Sequence, residues 1–224
     1  MSLGRATGLI FAKELRVELR SRELLSTTLV FVLLVLVLFS FTFDPSAMEA
    51  RRFGPGLLWL AFLFAGSLML QPSFVRERTN DTLSALRMAP VEPFAVLLGK
   101  LAANALFLFL VELILLPIFA ALYDLAILPV LGRLVLVLFL GTVGLATTGT
   151  VFSAITAQAR LRELMLPLLL FPVLAPVLIA STEATVGLLS EEPYLDSVWL
   201  VFLVVFDAIF LTAAWLFGEY LFEE

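Results

Sequence analysis

Charged side chains divide this chain into apolar stretches of similar length. Residues 24–43, 53–75, 101–123, 134–159, 164–182 and 197–218 are charge-poor, with a single acid in the third stretch and in the sixth. Each reaches the roughly 20 residues that a helix needs to cross the hydrocarbon core of a bilayer. In lipid a backbone must satisfy its own polar groups, so each stretch predicts a helix. The pattern as a whole predicts an all-α polytopic membrane protein with spans at about 24–43, 54–74, 101–122, 134–155, 164–180 and 198–217. What is left over is too short for a second folded domain. Residues 24–218 are therefore expected to form one six-span domain, preceded by segment 1–23, interrupted by a long connection at 75–100 and followed by a tail at 219–224. The first stretch exceeds a signal-peptide core and lacks a small-residue cleavage pattern, which predicts a retained anchor.

Ahead of the first span, Phe11, Leu15 and Leu19 recur at helical spacing, while Lys13, Arg16 and Arg20 lie mostly off that face. This predicts an amphipathic helix over 1–23 on the cytoplasmic membrane surface.

Composition sharpens the reading by exclusion. The chain is 62% apolar and 15% charged, far from a soluble domain. It has neither cysteine nor histidine, which excludes disulfides, imidazole bases and thiolate nucleophiles, and no metal site is expected. The net charge of −5 matters less than where the positive charges fall. With a cytoplasmic N-terminus, eleven of the fourteen basic residues lie on inner segments, and only Arg51, Arg52 and Arg133 lie outside. That bias predicts both termini in the cytoplasm. Trp59, Tyr123, Tyr194 and Trp199 fall near outer span ends, and Trp215 and Tyr220 near an inner one, as interfacial aromatics would.

Three groups of residues stand out as candidate machinery. In the 75–100 connection, Asn80 or Asp81 suits a helix start and Pro90 ends it, leaving about two turns on which Leu83 and Leu86 share a face. Either this is a coupling helix that docks on a cytoplasmic motor subunit, or it is an interfacial helix lying on lipid. Glu112 and Asp207 are the ionisable groups deep in the spans, with no basic residue at their depth. They are read as neutral acids hydrogen-bonded to Thr or Asn, or as a proton relay or polar lining of a pathway. Pro167, Pro172 and Pro176 each remove a backbone donor from the fifth span, as a hinge or a static kink. In the fourth span, Thr142, Ala146, Thr150 and Ala154 form a small-residue ribbon, with Gly141, Gly144 and Gly149 beside it, suited to close helix packing.

Several short motifs occur in an order that resembles the export-type permeases of ABC transporters. Glu77-Arg78 follows the second span, then come Leu83-x-x-Leu86, Pro90-Val91 and Gly99-Lys100. Arg20-Ser21-Arg22-Glu23, Gly56-Leu57-Leu58-Trp59 and Arg160-Leu161-Arg162-Glu163-Leu164 extend the match over nearly the whole chain. In this order they resemble the haem exporter protein B (CcmB) family, permeases of cytochrome c maturation. The resemblance implies an export-type ABC permease in the bacterial inner membrane that works as a homodimer with two ATP-binding subunits, beside a haem-handling membrane protein and a haem chaperone. It implies that Glu77, Arg78, Leu83, Leu86, Arg87 and Pro90 belong to the ATPase-coupling segment. ATP and Mg would be held by the partner ATPase and haem by partner proteins, so this chain is expected to be a non-catalytic subunit that binds no cofactor alone. In agreement, the sequence has no Gly-x-x-x-x-Gly-Lys-Ser/Thr phosphate loop. The alternatives are a permease of the same type for a lipid, polysaccharide or drug, and a proton-coupled secondary transporter using Glu112 and Asp207.

Overall fold

Apolar length turns into helix along almost the whole computed structural model, which describes residues 2–43, 47–79, 91–157, 159 and 162–218. The described helices are α1 (Leu3–Ser21), α2 (Glu23–Phe43), α3 (Ala47–Leu70), α4 (Pro72–Thr79), α5 (Pro93–Leu122), α6 (Leu131–Thr156, entered by a short 3-10 turn at Leu128–Val130), α7 (Arg162–Leu189) and α8 (Ser197–Phe217). No strand occurs among the described residues. Among the described residues, six segments are long and apolar enough to cross a membrane: Glu23–Thr42, Met48–Val75, Pro93–Leu122, Leu128–Thr156, Leu164–Leu189 and Ser197–Leu216. The chain is an all-α polytopic membrane protein.

Local chemistry sets the helix ends. Arg22 adopts the left-handed conformation (φ 54°), and its N–H closes on the Glu18 carbonyl, so α1 stops and α2 starts in a new direction one residue later. Between α3 and α4, Pro72 breaks the backbone ladder, and the Ser153 hydroxyl donates to the Leu70 carbonyl at 2.8 Å, giving that helix end a partner. Pro93 opens α5 behind an extended Glu92. The Asp196 carboxylate accepts the Val198 N–H at 2.9 Å and caps α8.

Three helices outrun the spans expected from charge spacing. α3 begins at Ala47 and carries Arg51 and Arg52 within it, α5 begins at Pro93 and contains Lys100, and α7 continues to Leu189. A charge ends an apolar window, but it ends a helix only if the charge has no way to be satisfied there. Lys100 is paired, as described below.

α6 lies at the centre, packed on α3, α4, α5, α7 and α8. Its small residues allow this. A Cβ on Gly141 would fall 2.2 Å from the Trp59 indole, and one on Gly149 would fall 2.2 Å from Leu70 Cδ1. The ribbon expected from sequence is buried at Thr142, Ala146 and Thr150 and half-buried at Ala154. The second span is the most enclosed, with 67% of its apolar window buried against 17% for the first and 22% for the sixth. α2 and α8 are thus peripheral and show Leu34, Leu38, Val201 and Ile209 to the surroundings.

Trp59, expected near an outer span end, is enclosed by protein. It is buried, and its Nε1–H donates to Thr185 Oγ1 at 3.0 Å, tying α3 to α7. Tyr123 is buried as well, while Tyr194 and Trp215 are exposed. Tyr220 lies outside the described residues.

α1 also departs in part from a helix that merely floats on lipid. Ala6, Ile10 and Glu18 are buried, Phe11 and Leu15 pack against the main core, and Leu19 is exposed. The helix lies along α5, where Gly99 admits it: a Cβ there would meet Ile10 Cβ at 2.7 Å and the Thr7 carbonyl oxygen at 2.9 Å.

Candidate coupling site and intramembrane acids

Of the proposed coupling residues, Leu83, Leu86, Arg87 and Pro90 lie outside the described residues. The helical ends around them are described: α4 runs to Thr79 and α5 resumes at Pro93. Arg78 belongs to α4. Glu77, expected to belong to the coupling segment, lies at the end of α4. Its side chain is only 4% exposed and turns inward, where it pairs with Lys13 of α1 and, at 3.0 Å, with Lys100 of α5.

This pairing belongs to a set of four charges. Lys100 Nζ lies 2.6 Å from Glu14 Oε1, and Lys13 Nζ lies 3.1 Å from the same oxygen. Each cation therefore meets both anions, and the charges alternate around the set. Lys100 is the most buried member, at 1% exposure; it also donates to the Ser73 carbonyl at 2.8 Å and stands 5.1 Å from the centre of the Phe74 ring. Asn104, one turn further along α5, donates to Ser73 Oγ at 3.2 Å and to Thr150 Oγ1 at 2.9 Å. Burying an ammonium is costly unless it is paired and its protons are used, and Lys100 meets both conditions. Burial works against the Lys13 charge, but the hydrogen bond to Glu77 and the charges of Glu14 and Glu77 outweigh it and hold the ammonium above its ordinary value. At the bend between α1 and α2, Glu18 Oε1 accepts the Leu25 N–H at 3.0 Å. Sequence pattern alone placed Lys100 at the mouth of a span and did not connect it to Lys13 and Glu14. A lysine preceded by glycine at the edge of an apolar run is the one local sign of a close approach.

Glu112 and Asp207 are both buried, and α6 holds them apart. The Thr142 hydroxyl lies 2.6 Å from Glu112 Oε2 and 2.7 Å from the Leu138 carbonyl oxygen. This is the threonine partner that sequence reasoning allowed. Asp207 instead meets Gly144, where a Cβ would fall 2.9 Å from its Oδ1, and that oxygen has no hydrogen-bond partner. Thr142 and Gly144 are two positions apart on one helix, hence about 3 Å along the axis and about 200° around it. Glu112 and Asp207 thus meet α6 at positions that face different ways.

The three prolines of the fifth span sit inside α7, which continues unbroken from Arg162 to Leu189. At the end of the bundle remote from α4, a cavity of about 590 Å³ opens between the start of α3 and the end of α5, lined by Ala50, Phe53, Gly54, Leu57 and Tyr123 among others. No group of three or more potential metal-ligating side chains occurs among the described residues.

Six apolar spans among the described residues, with a buried charge cluster at one end, define a multi-pass helical membrane protein. Comparison with known proteins narrows the class. The family model described as CcmB protein matches residues 5–216, and the chain belongs to that family. Heme exporter protein B of Pseudomonas aeruginosa is 33% identical over 205 residues, covering 91% of this chain and 90% of the relative. The protein of the same name from Rhodobacter capsulatus is 32% identical, covering 78% of this chain and 79% of its own length. That of Haemophilus influenzae is 30% identical, covering 83% of each.

Proposed function

We propose that this chain is the permease subunit of an ABC transporter for cytochrome c biogenesis, coupling ATP hydrolysis in a partner subunit to haem export or to release of a haem-loaded chaperone. The observation that carries this reading is the likeness to heme exporter protein B along nearly the full length of both chains, joined to a fold with six spans. The chain then sits in the bacterial inner membrane with both termini in the cytoplasm, as the distribution of Lys and Arg favours. It acts as a non-catalytic subunit, paired with a second copy of itself and with an ATP-binding cassette ATPase that holds ATP and Mg, beside a haem-handling membrane protein and a haem chaperone. α4 and α5 then form the two sides of the coupling segment, and the end bearing α1 faces the motor. Membrane lipid contacts the exposed apolar faces of α2 and α8.

Coexpression tests this directly. The tagged chain is expected to copurify an ATPase carrying a phosphate loop, and deletion of the chain is expected to abolish covalent haem attachment to cytochrome c. Copurification of no ATPase, with normal cytochrome c in the deletion strain, rejects the reading.

A further inference from the structure

The four-charge cluster connects elements that sequence distance separates. Glu14 and Lys100 are 86 positions apart and Lys13 and Glu77 are 64 apart, yet all four side chains meet. Each element they join has a distinct connection: α4 leads into the segment that starts at residue 80, α1 turns through Arg22 into the first span, and Lys100 is in the third turn of the third span. Ser73 and Asn104 add a second clip between α4 and α5, and Gly99 brings α1 close enough for its side chains to reach. An alternating set with each cation on both anions resists sliding, because displacing one element brings like charges together.

We infer that Lys13, Glu14, Glu77 and Lys100 are positioning residues that make α1 and the start of α5 move as one body with α4. A stroke delivered to the segment after α4 then enters the membrane domain through the first and third spans, as well as through α3. The inference rests on the proposed function, since it needs a motor that delivers the stroke.

The test uses the full complex in cells and in nanodiscs. Glu14→Lys leaves one anion among three cations, and changing all four positions together (Lys13→Glu, Glu14→Lys, Glu77→Lys, Lys100→Glu) restores alternation. The expected result for Glu14→Lys is retained membrane insertion and retained ATPase copurification, with cytochrome c yield lowered about tenfold, a size typical of coupling between distinct sites. The fourfold reversal is expected to recover most of that loss. The chain has no native cysteine, so spin labels placed at Gly8→Cys on α1 and Leu168→Cys on α7, both exposed, report α1 directly. Their separation is expected to change with nucleotide in the unsubstituted background and to stay fixed with Glu14→Lys, a difference that a purely structural role does not produce. Should Glu14→Lys fail to insert, the near-isosteric Glu14→Gln carries the same test. Full yield and an intact nucleotide-dependent shift in that variant overturn the inference while leaving the proposed function standing. Failure of the unsubstituted chain to copurify an ATPase removes the proposed function and this inference with it.

Discussion

One hydroxyl proton decides how Glu112 is held. Thr142 has a single proton to donate, yet its oxygen lies within hydrogen-bonding distance of both the Leu138 carbonyl and Glu112 Oε2. Both contacts are satisfied if Thr142 donates to Leu138 and Glu112, as a carboxylic acid, donates to Thr142. A glutamine has the same shape and can donate from its amide in the same way. Glu112→Gln is therefore expected to insert and assemble like the unsubstituted chain, measured by size-exclusion profile and ATPase copurification; failure to fold shows that an ionised carboxylate is required. At Lys13 the sign runs through the ammonium. Its folded value is raised, so the docking it contributes is fully present below the ordinary value of 10.5 and is lost as pH rises through the folded one. Labels at Gly8→Cys and Leu168→Cys in the chain should keep a constant mean separation through neutral and mildly alkaline pH. Broadening is expected only above 10.5, and broadening near neutrality contradicts the pairing.

At the scale of elements, the segment between α4 and α5 carries the test of coupling. Leu83 and Leu86 share a face of a two-turn helix expected from sequence, next to Arg87 and close behind Arg78. Burying two leucines on a partner contributes about 3 to 6 kcal/mol before ordering costs. Aspartate at both positions replaces that gain with a desolvation penalty. Leu83→Asp with Leu86→Asp is expected to insert normally, to lose the ATPase in a pull-down and to lose cytochrome c maturation. Retention of the ATPase and of its stimulated activity assigns the segment to the lipid surface instead. The existence and number of the long helices were legible in sequence because apolar length is a local property. Their ends were less so. Arg51, Arg52 and Lys100 truncated the expected second and third spans, although a helix continues through a charge that finds a partner or reaches water. Trp59 shows the same limit. Its position near a window edge suggested the headgroup region, but the space beside Gly141 and the Thr185 hydroxyl, both far away in sequence, bury it.

At the scale of the molecule, the buried polar groups of the described residues fall into two sets. At the α1 end, Lys13, Glu14, Glu77 and Lys100 pair with one another, and within the spans Glu112 is bonded to Thr142 of the central helix while Asp207 lies against its Gly144. The Leu83 and Leu86 pair could be named because its spacing is local in sequence, and it lies outside the described residues. The ion set was not legible, because pairing across three helices leaves no periodic trace. Haem iron in proteins is held by His, Cys thiolate, Met or Tyr. With no His or Cys, this chain offers five Met and three Tyr. Of the tyrosines, Tyr123 is buried at the end of α5, Tyr194 is exposed near the start of α8, and Tyr220 lies outside the described residues. A permease that handles haem with this side-chain set is expected to leave the axial ligands to its partners. The purified chain, titrated with haem in detergent or nanodiscs, is therefore expected to show weak, non-saturating association without a low-spin spectrum. A stoichiometric low-spin complex formed by the chain alone contradicts this and points to Met or Tyr ligation within the bundle.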